Sequence, residues 1–309
     1  MNTETIPTQP SFADQLSAAA SDIKLSHTIF ALPFALLATF LAAGFANTYP
    51  SVFQFVLILL CMFFARTVAM LANRYLDAGM DAENARTAKR AIPAGQMSKP
   101  FAMSVMIVCS AIFFASASGF YFANDNLYPL LLSPLVLAYL IGYSLTKRFT
   151  FLCHVYLGTA LAISPVAASI AINPAYLNSP VPWLISLMVT CWVAGFDVIY
   201  ALQDVEFDRE NKVYSMPASL GENKALWISR LLHLTVILVL GLLFALSPQL
   251  NLLFLIASLL TAALLILEHT LVWKSSTNHI NMAFFTLNGI ISLLLGLTGI
   301  IDTLIKVNA

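Results

Sequence analysis

Charge is what this 309-residue chain has least of. Asp, Glu, Lys and Arg make up only 10% of it against 60% hydrophobic residues, and the mean hydropathy is +0.84. That balance excludes a soluble domain and points to a polytopic membrane protein. Cysteine is scarce as well: Cys61, Cys109, Cys153 and Cys191 lie in apolar stretches without C-x-x-C spacing. This excludes a disulfide framework and a zinc site, and leaves small buried apolar residues. The first 22 residues hold no Lys or Arg and no cleavage pattern beside a short apolar core, so no cleavable signal peptide is expected. Net charge is zero and says nothing about partners, and no nucleic-acid partner is expected.

A helix that crosses a bilayer needs about 20 mostly apolar residues. Nine such stretches occur, near 27–46, 51–72, 101–122, 129–145, 150–172, 181–203, 225–246, 250–273 and 280–301. The expected fold is all-α, a polytopic membrane protein of nine transmembrane helices in one domain over 23–305, preceded by a polar segment, 1–22. With nine spans the loops alternate sides, and those at 46–50, 123–128, 173–180 and 247–249 contain no Lys or Arg. The opposite side collects Lys24, Arg74, Arg86, Lys89, Arg90, Lys99, Lys147, Arg148, Arg209, Lys212, Lys224 and Lys274, with Lys306 the exception. By the positive-inside rule the N-terminus lies in the cytosol and the C-terminus outside the cell (inner) membrane.

The acidic residues then gather on the cytosolic face. DAGMDAEN at 77–84 and DVEFDREN at 204–211 share the pattern D-x-x-x-D-x-E-N, each followed by a proline and then a glycine. The match suggests a duplicated bundle in which one functional element occurs twice. Helical residues four apart differ by 40° and about 6 Å of rise, so Asn73, Asp77 and Asp81 form one stripe and Asp197, Tyr200, Asp204 and Asp208 a second. Clustered carboxylates repel one another unless neutralised, and magnesium takes one or two carboxylates together with substrate phosphates. A solvated helix end with local Asp–Arg pairs explains one such motif; two on one membrane face favour the metal. Arg86, Lys89 and Arg90 follow the first motif, Lys212 follows the second, and Lys147 and Arg148 fill the loop between the fourth and fifth spans. Beside a carboxylate-held magnesium, these cations suit a diphosphate leaving group, although cytosolic loops are basic in any case.

Four segments carry a resemblance to a known family: NRYLDAGMD at 73–81, DVIYALQDVEFD at 197–208, RTAKRAIPAG at 86–95 and YSLTKRFT at 143–150. The chain resembles the UbiA superfamily of intramembrane prenyltransferases. The resemblance implies a central cavity, open to the membrane, in which a polyprenyl diphosphate binds through Mg2+ to both motifs. It implies that Asn73, Asp77, Asp81, Asp204 and Asp208 hold metal, and that Arg86, Arg90, Lys147 and Arg148 contact the diphosphate or help to place the acceptor. Asp197, Tyr200 and Lys212 join them as substrate-binding candidates. Two positions depart from the family. Arg74 stands where Asp is common, and Tyr214 in VYSMP stands near where many members have Lys, with Lys212 as the replacement charge. The stretches 196–221 and 143–168 look more like the branch serving menaquinone by the futalosine route than like the ubiquinone-pathway enzyme whose acceptor is 4-hydroxybenzoate. The expected acceptor is a carboxylated phenol or naphthol.

The physics of such a reaction agrees with the composition. Ionising an allylic diphosphate separates a carbocation from a highly charged anion, which a Lewis acid assists, and water must be kept from capturing the cation. An apolar pocket does this and dissolves the isoprenoid tail. Two other classes compete. A secondary transporter is expected to carry its charges near the bilayer midplane on broken helices, and a membrane phosphotransferase would carry a compact D-G-x-x-A-R motif, which does not occur here. His27, His154, His233, His269 and His279 lack metal-ligand spacing and read as packing residues, with His154 placed to face a cavity. Arg66, Asp197 and Glu268 are functional candidates because they are ionisable within apolar spans.

Overall fold

The computed structural model describes residues 10–23, 30–273 and 283–308, and these contain no β-strand. The helices are α1 (Phe12–Ile23), α2 (Leu32–Gly44), α3 (Val52–Glu83), α4 (Lys99–Asn124) and α5 (Tyr128–Gly142). The last runs into a 3-10 turn, Tyr143–Arg148, which leads to α6 (Cys153–Ile172). Then come α7 (Val181–Tyr200), a 3-10 turn at Ala201–Asp204, α8 (Val205–Glu210), α9 (Met216–Leu220), α10 (Glu222–Leu246), α11 (Leu252–Trp273) and α12 (Asn288–Asn308).

Among the described residues, eight helices are long and apolar enough to cross a membrane, as in a multi-pass membrane protein. The remaining expected span, 27–46, holds α2, an apolar helix of 13 residues. Lys24, His27, Lys274 and His279 lie outside the described residues. Within the expected polar segment 1–22, α1 packs on the body of the protein: the Phe12 and Phe101 rings meet edge to face at 5.5 Å, and Gln15 Oε1 accepts from the Ser98 backbone and hydroxyl, each at 3.0 Å.

The length of α3 is what positions the first acidic motif. Ser51 and Gln54 form a reciprocal capping box at its start, satisfying two of the helix's first orphan donors. From there the helix runs 32 residues, about 48 Å, against a hydrocarbon core of about 30 Å. Its last turns, carrying Asn73 to Glu83, therefore extend past the thickness that apolar residues need to cover.

The largest core cluster joins α2, α6, α7, α10, α11 and α12 around Trp192, which is fully buried. Helices α6 and α7 approach so closely that a Cβ on Gly158 would collide with the Thr190 carbonyl. Behind Trp192 a buried polar network supplies partners that the apolar surroundings cannot: Trp192 Nε1 donates to Asn288 Oδ1 at 2.7 Å, and Asn288 Nδ2 donates to Glu268 Oε1 at 2.8 Å. Glu268 thus has a structural post away from the acidic motifs. His233 and His269 pair with each other at 3.0 Å beside it.

Candidate active site

Helices α2 to α7 surround a cavity of about 540 Å³, lined mostly by Ala, Leu, Val, Phe and Ile. Arg66 and Tyr143 are among its few polar lining residues. Met70, Asn73 and Asp77 continue down the α3 face on which Arg66 lies, at the i+4, i+7 and i+11 spacing of one helix face, so the apolar space leads toward the first acidic motif. Phe196 and Val193 of α7 line it from the other side, one and two turns before Tyr200.

Every motif aspartate faces a partner. Asp77, 1% exposed, accepts from Lys147 Nζ at 2.6 Å and from Asn73 Nδ2 at 2.9 Å, with Arg148 3.7 Å away. Arg148 also donates to the Leu76 carbonyl at 2.6 Å. Asp81 accepts from Arg90 at 2.6 Å. Asp204 receives Arg86 through two nitrogens, Nε at 2.9 Å and Nη2 at 2.5 Å, and Arg86 Nη1 donates to the Tyr200 hydroxyl at 3.1 Å. Asn84 Nδ2 also reaches Asp204, at 3.3 Å. Burial draws the Arg86 pKa down, but the hydrogen bond and charge of Asp204 more than offset it and hold it above its ordinary value. Arg86 therefore stays charged at any working pH.

Arg86 follows the first motif and Asp204 belongs to the second, so this fork joins the two. Lys147 does the same from the α5 side, pairing with Asp77 and acting electrostatically on Asp208. The two acidic regions face one another across a shared set of cations. Glu83, Glu206, Glu210 and Lys89 are exposed around them.

One expectation needs correction. The second stripe is not one helical face: α7 ends at Tyr200, and the 3-10 turn at Ala201–Asp204 precedes α8. Such a turn advances about 120° per residue rather than 100°, and it sends the four residues to different neighbours. Asp197 meets His154 at 2.7 Å, Tyr200 and Asp204 meet Arg86, and Asp208 accepts from the Ser215 hydroxyl at 2.6 Å. Asp197 thus lies off the Asp204–Asp208 line. The neutralisation that clustered carboxylates require comes in part from Lys147, Arg90 and Arg86, which pair with Asp77, Asp81 and Asp204. Lys212, exposed at a left-handed φ of 54°, takes part in none of these pairs. Tyr214, the other departure from the family, is 44% exposed and donates its backbone N–H to the Lys147 carbonyl at 2.8 Å.

Asp77 Oδ1 and Asp81 Oδ2 are buried without a hydrogen-bond partner, an arrangement unfavourable for a carboxylate unless a cation takes up the oxygen. Among the described residues, no three Asp, Glu, His or Cys side chains are gathered to hold an ion by themselves. The residues therefore fit an ion that shares its shell with substrate phosphates, as magnesium does, and do not form a closed protein cage.

Sequence reasoning missed three supports of the site. Asp22 of α1 lies 3.5 Å from Arg74, whose Nη1 donates to Asn73 Oδ1 at 2.8 Å, so a relay runs from α1 through Arg74 and Asn73 to Asp77. Asn84 and Ser215 are the others: Asn84 closes the first copy of the D-x-x-x-D-x-E-N pattern, while no spacing rule marks Asp22 or Ser215.

The chain matches the UbiA prenyltransferase family over residues 31–290. It belongs to that family. A 4-hydroxybenzoate octaprenyltransferase of Francisella tularensis subsp. novicida (strain U112) is 31% identical over 57% of this chain, and the match spans 60% of that relative's length. A UbiA homolog from Aeropyrum pernix K1, solved in its apo form, superposes with a TM-score of 0.80 at 32% identity, covering 90% of this chain and 98% of that one. A UbiA homolog from Archaeoglobus fulgidus bound to GPP and Mg2+ has the same fold, with a TM-score of 0.68 at 20% identity over 93% of this chain and 99% of its own.

Proposed function

We propose that this UbiA-family protein transfers a polyprenyl group from a polyprenyl diphosphate to a ring carbon of an aromatic acid, with magnesium as cofactor. The observation that carries this reading is the Arg86–Asp204 fork, which gathers both acidic motifs and their cations at the end of an apolar cavity. Bound magnesium would be held by Asp77, Asp81, Asp204 and Asp208 with Asn73 nearby, and would stabilise the diphosphate oxygens as the allylic C–O bond breaks. Arg86, Arg90, Lys147 and Arg148 already point at those carboxylates, so the same cations bind and orient the phosphates that an incoming substrate places among them. The cavity walls exclude water from the carbocation and dissolve the isoprenoid tail.

The acceptor is a carboxylated phenol or naphthol; 4-hydroxybenzoate is favoured by the name of the Francisella relative, and a dihydroxynaphthoate of the menaquinone branch by the 143–168 and 196–221 segments. We place the protein in the cell inner membrane with nine spans in duplicated halves, its N-terminus and active site toward the cytosol, because the cations and the acidic motifs share one face. The test is a product assay in isolated membranes with polyprenyl diphosphate and magnesium, offering 4-hydroxybenzoate against 1,4-dihydroxy-6-naphthoate. One prenylated product is expected from the native protein, and a drop of about 10³-fold in Asp77→Ala and Asp204→Ala. Near-native turnover in both variants would refute the metal assignment.

A further inference from the structure

His154 commits both of its ring nitrogens beside the site. Its Nε2 accepts the Met216 backbone N–H at 3.1 Å, and its Nδ1 lies 2.7 Å from Asp197 Oδ2. A ring nitrogen that accepts a hydrogen bond carries no proton, so the imidazole is neutral, with its proton on Nδ1 and donated to Asp197. The ring is 3% exposed. It therefore pins together α6, α7 and the N-terminal end of α9. Just before that end stands Ser215, the donor to Asp208.

Asp197 is less enclosed than its partner, with 22% of its side chain exposed. It sits on α7 between Val193 and Phe196, which line the cavity, and Tyr200, which meets Arg86. Tyr143, another cavity-lining residue, is close enough to feel its charge. A carboxylate here stands where the apolar space meets the cations. Among the described residues it also has no Arg or Lys partner, unlike Asp77, Asp81 and Asp204.

Resting on the prenyl-transfer reading, we propose that His154 is a positioning residue that holds Asp197 aimed at the aromatic acceptor, where Asp197 takes the proton the ring loses. In that reaction the allylic C–O bond breaks and its electron pair leaves on the diphosphate. Ring π electrons form the new bond to the allylic carbon. The ring C–H proton then moves to Asp197, its electron pair restores aromaticity, and the carboxylic acid returns the proton to water at the mouth of the site. His154 is not itself the base, because Nδ1 already bears a proton and Nε2 is engaged by Met216. A neutral N–H donor orients a carboxylate while leaving its charge available, which a lysine at this place would cancel.

Glutamine separates this role from others, since its amide oxygen can accept from Met216 and its amide nitrogen can donate to Asp197. His154→Gln is expected to keep the transfer rate within about threefold, and His154→Leu to lose about 100-fold in kcat, the scale of a misplaced reacting group. Binding of a non-hydrolysable prenyl thiodiphosphate with magnesium should be unchanged in both. With ring-deuterated acceptor, His154→Leu should display a larger isotope effect than the native enzyme, because proton removal becomes limiting; a merely structural residue would not produce this. Equal rates for the Leu and Gln variants, whether both native or both lost, would overturn the positioning role, as would parallel loss of thiodiphosphate binding. A native protein that transfers no prenyl group to any phenolic acid would instead overturn the reaction itself.

Discussion

The two acidic motifs have the same eight-residue pattern and different backbones. The first, with Asn73 ahead of it, rides on α3 up to Glu83, and the second, taken from Asp197, is divided among the end of α7, a 3-10 turn and α8. On the continuous helix, Asn73, Asp77 and Asp81 keep a common direction: Asn73 bonds Asp77 on the same helix, Arg90 reaches Asp81 from the loop that follows, and Lys147 reaches Asp77 from the turn after α5. On the broken one, Asp197, Asp204 and Asp208 turn to α6, to the Arg86 loop and to Ser215. The lesson is that a repeated sequence pattern fixes which chemical groups are present, while the backbone between them fixes whether they act as one ligand set or as several.

Three substitutions sharpen that contrast. The largest effect is expected from Arg86→Lys, which keeps the charge but removes the two-nitrogen fork that ties the second motif to the first. A loss of about 100-fold in kcat/KM for the polyprenyl diphosphate is expected, consistent with two charge-assisted bonds, and steady-state kinetics in membranes measures it. A rate close to native would mean that the motifs do not depend on each other through Arg86.

Asp22→Asn comes next. It removes the counter-charge of buried Arg74 and so loosens the relay to Asn73 and Asp77. Apparent magnesium affinity should weaken by about tenfold, as for other groups that orient ligands from behind, and a magnesium titration of activity reads it out. No change would place α1 outside the machinery of the first motif. The smallest effect belongs to Lys212→Ala. Its exposed side chain makes none of the site's ion pairs, and exposed charges contribute little, so activity within about twofold of native is expected. A tenfold loss would restore it as the substitute for the family lysine near Tyr214.

Much of the site was legible because its residues lie close together along the chain. Asp77 and Asp81 announce themselves by i,i+4 spacing, and Lys147 and Arg148 by filling a short connection that proves to be a 3-10 turn. The Asp22–Arg74 contact was not legible: the partners lie on different helices, and a lone aspartate in a polar segment carries no periodic signal. Asp197 was placed on the wrong line for a related reason, since a 3-10 turn inside an acidic stretch leaves no mark on hydropathy. His154 was noted for its position beside the Lys147–Arg148 turn, but its two hydrogen-bond partners are 43 and 62 residues away.

The sequence by itself determined the membrane-spanning helices, the two acid-rich ends and the surplus of cations beside them, because hydrophobic length and local charge spacing are properties of the chain taken a few turns at a time. Only the tertiary structure decided which cation neutralises which carboxylate, where the second motif bends, and that one imidazole joins Asp197 to the segment behind Asp208. Those choices are made by side chains from distant parts of the chain meeting where little water is left to satisfy them, and a buried charge is then bound to whichever partner the packing of helices brings within reach.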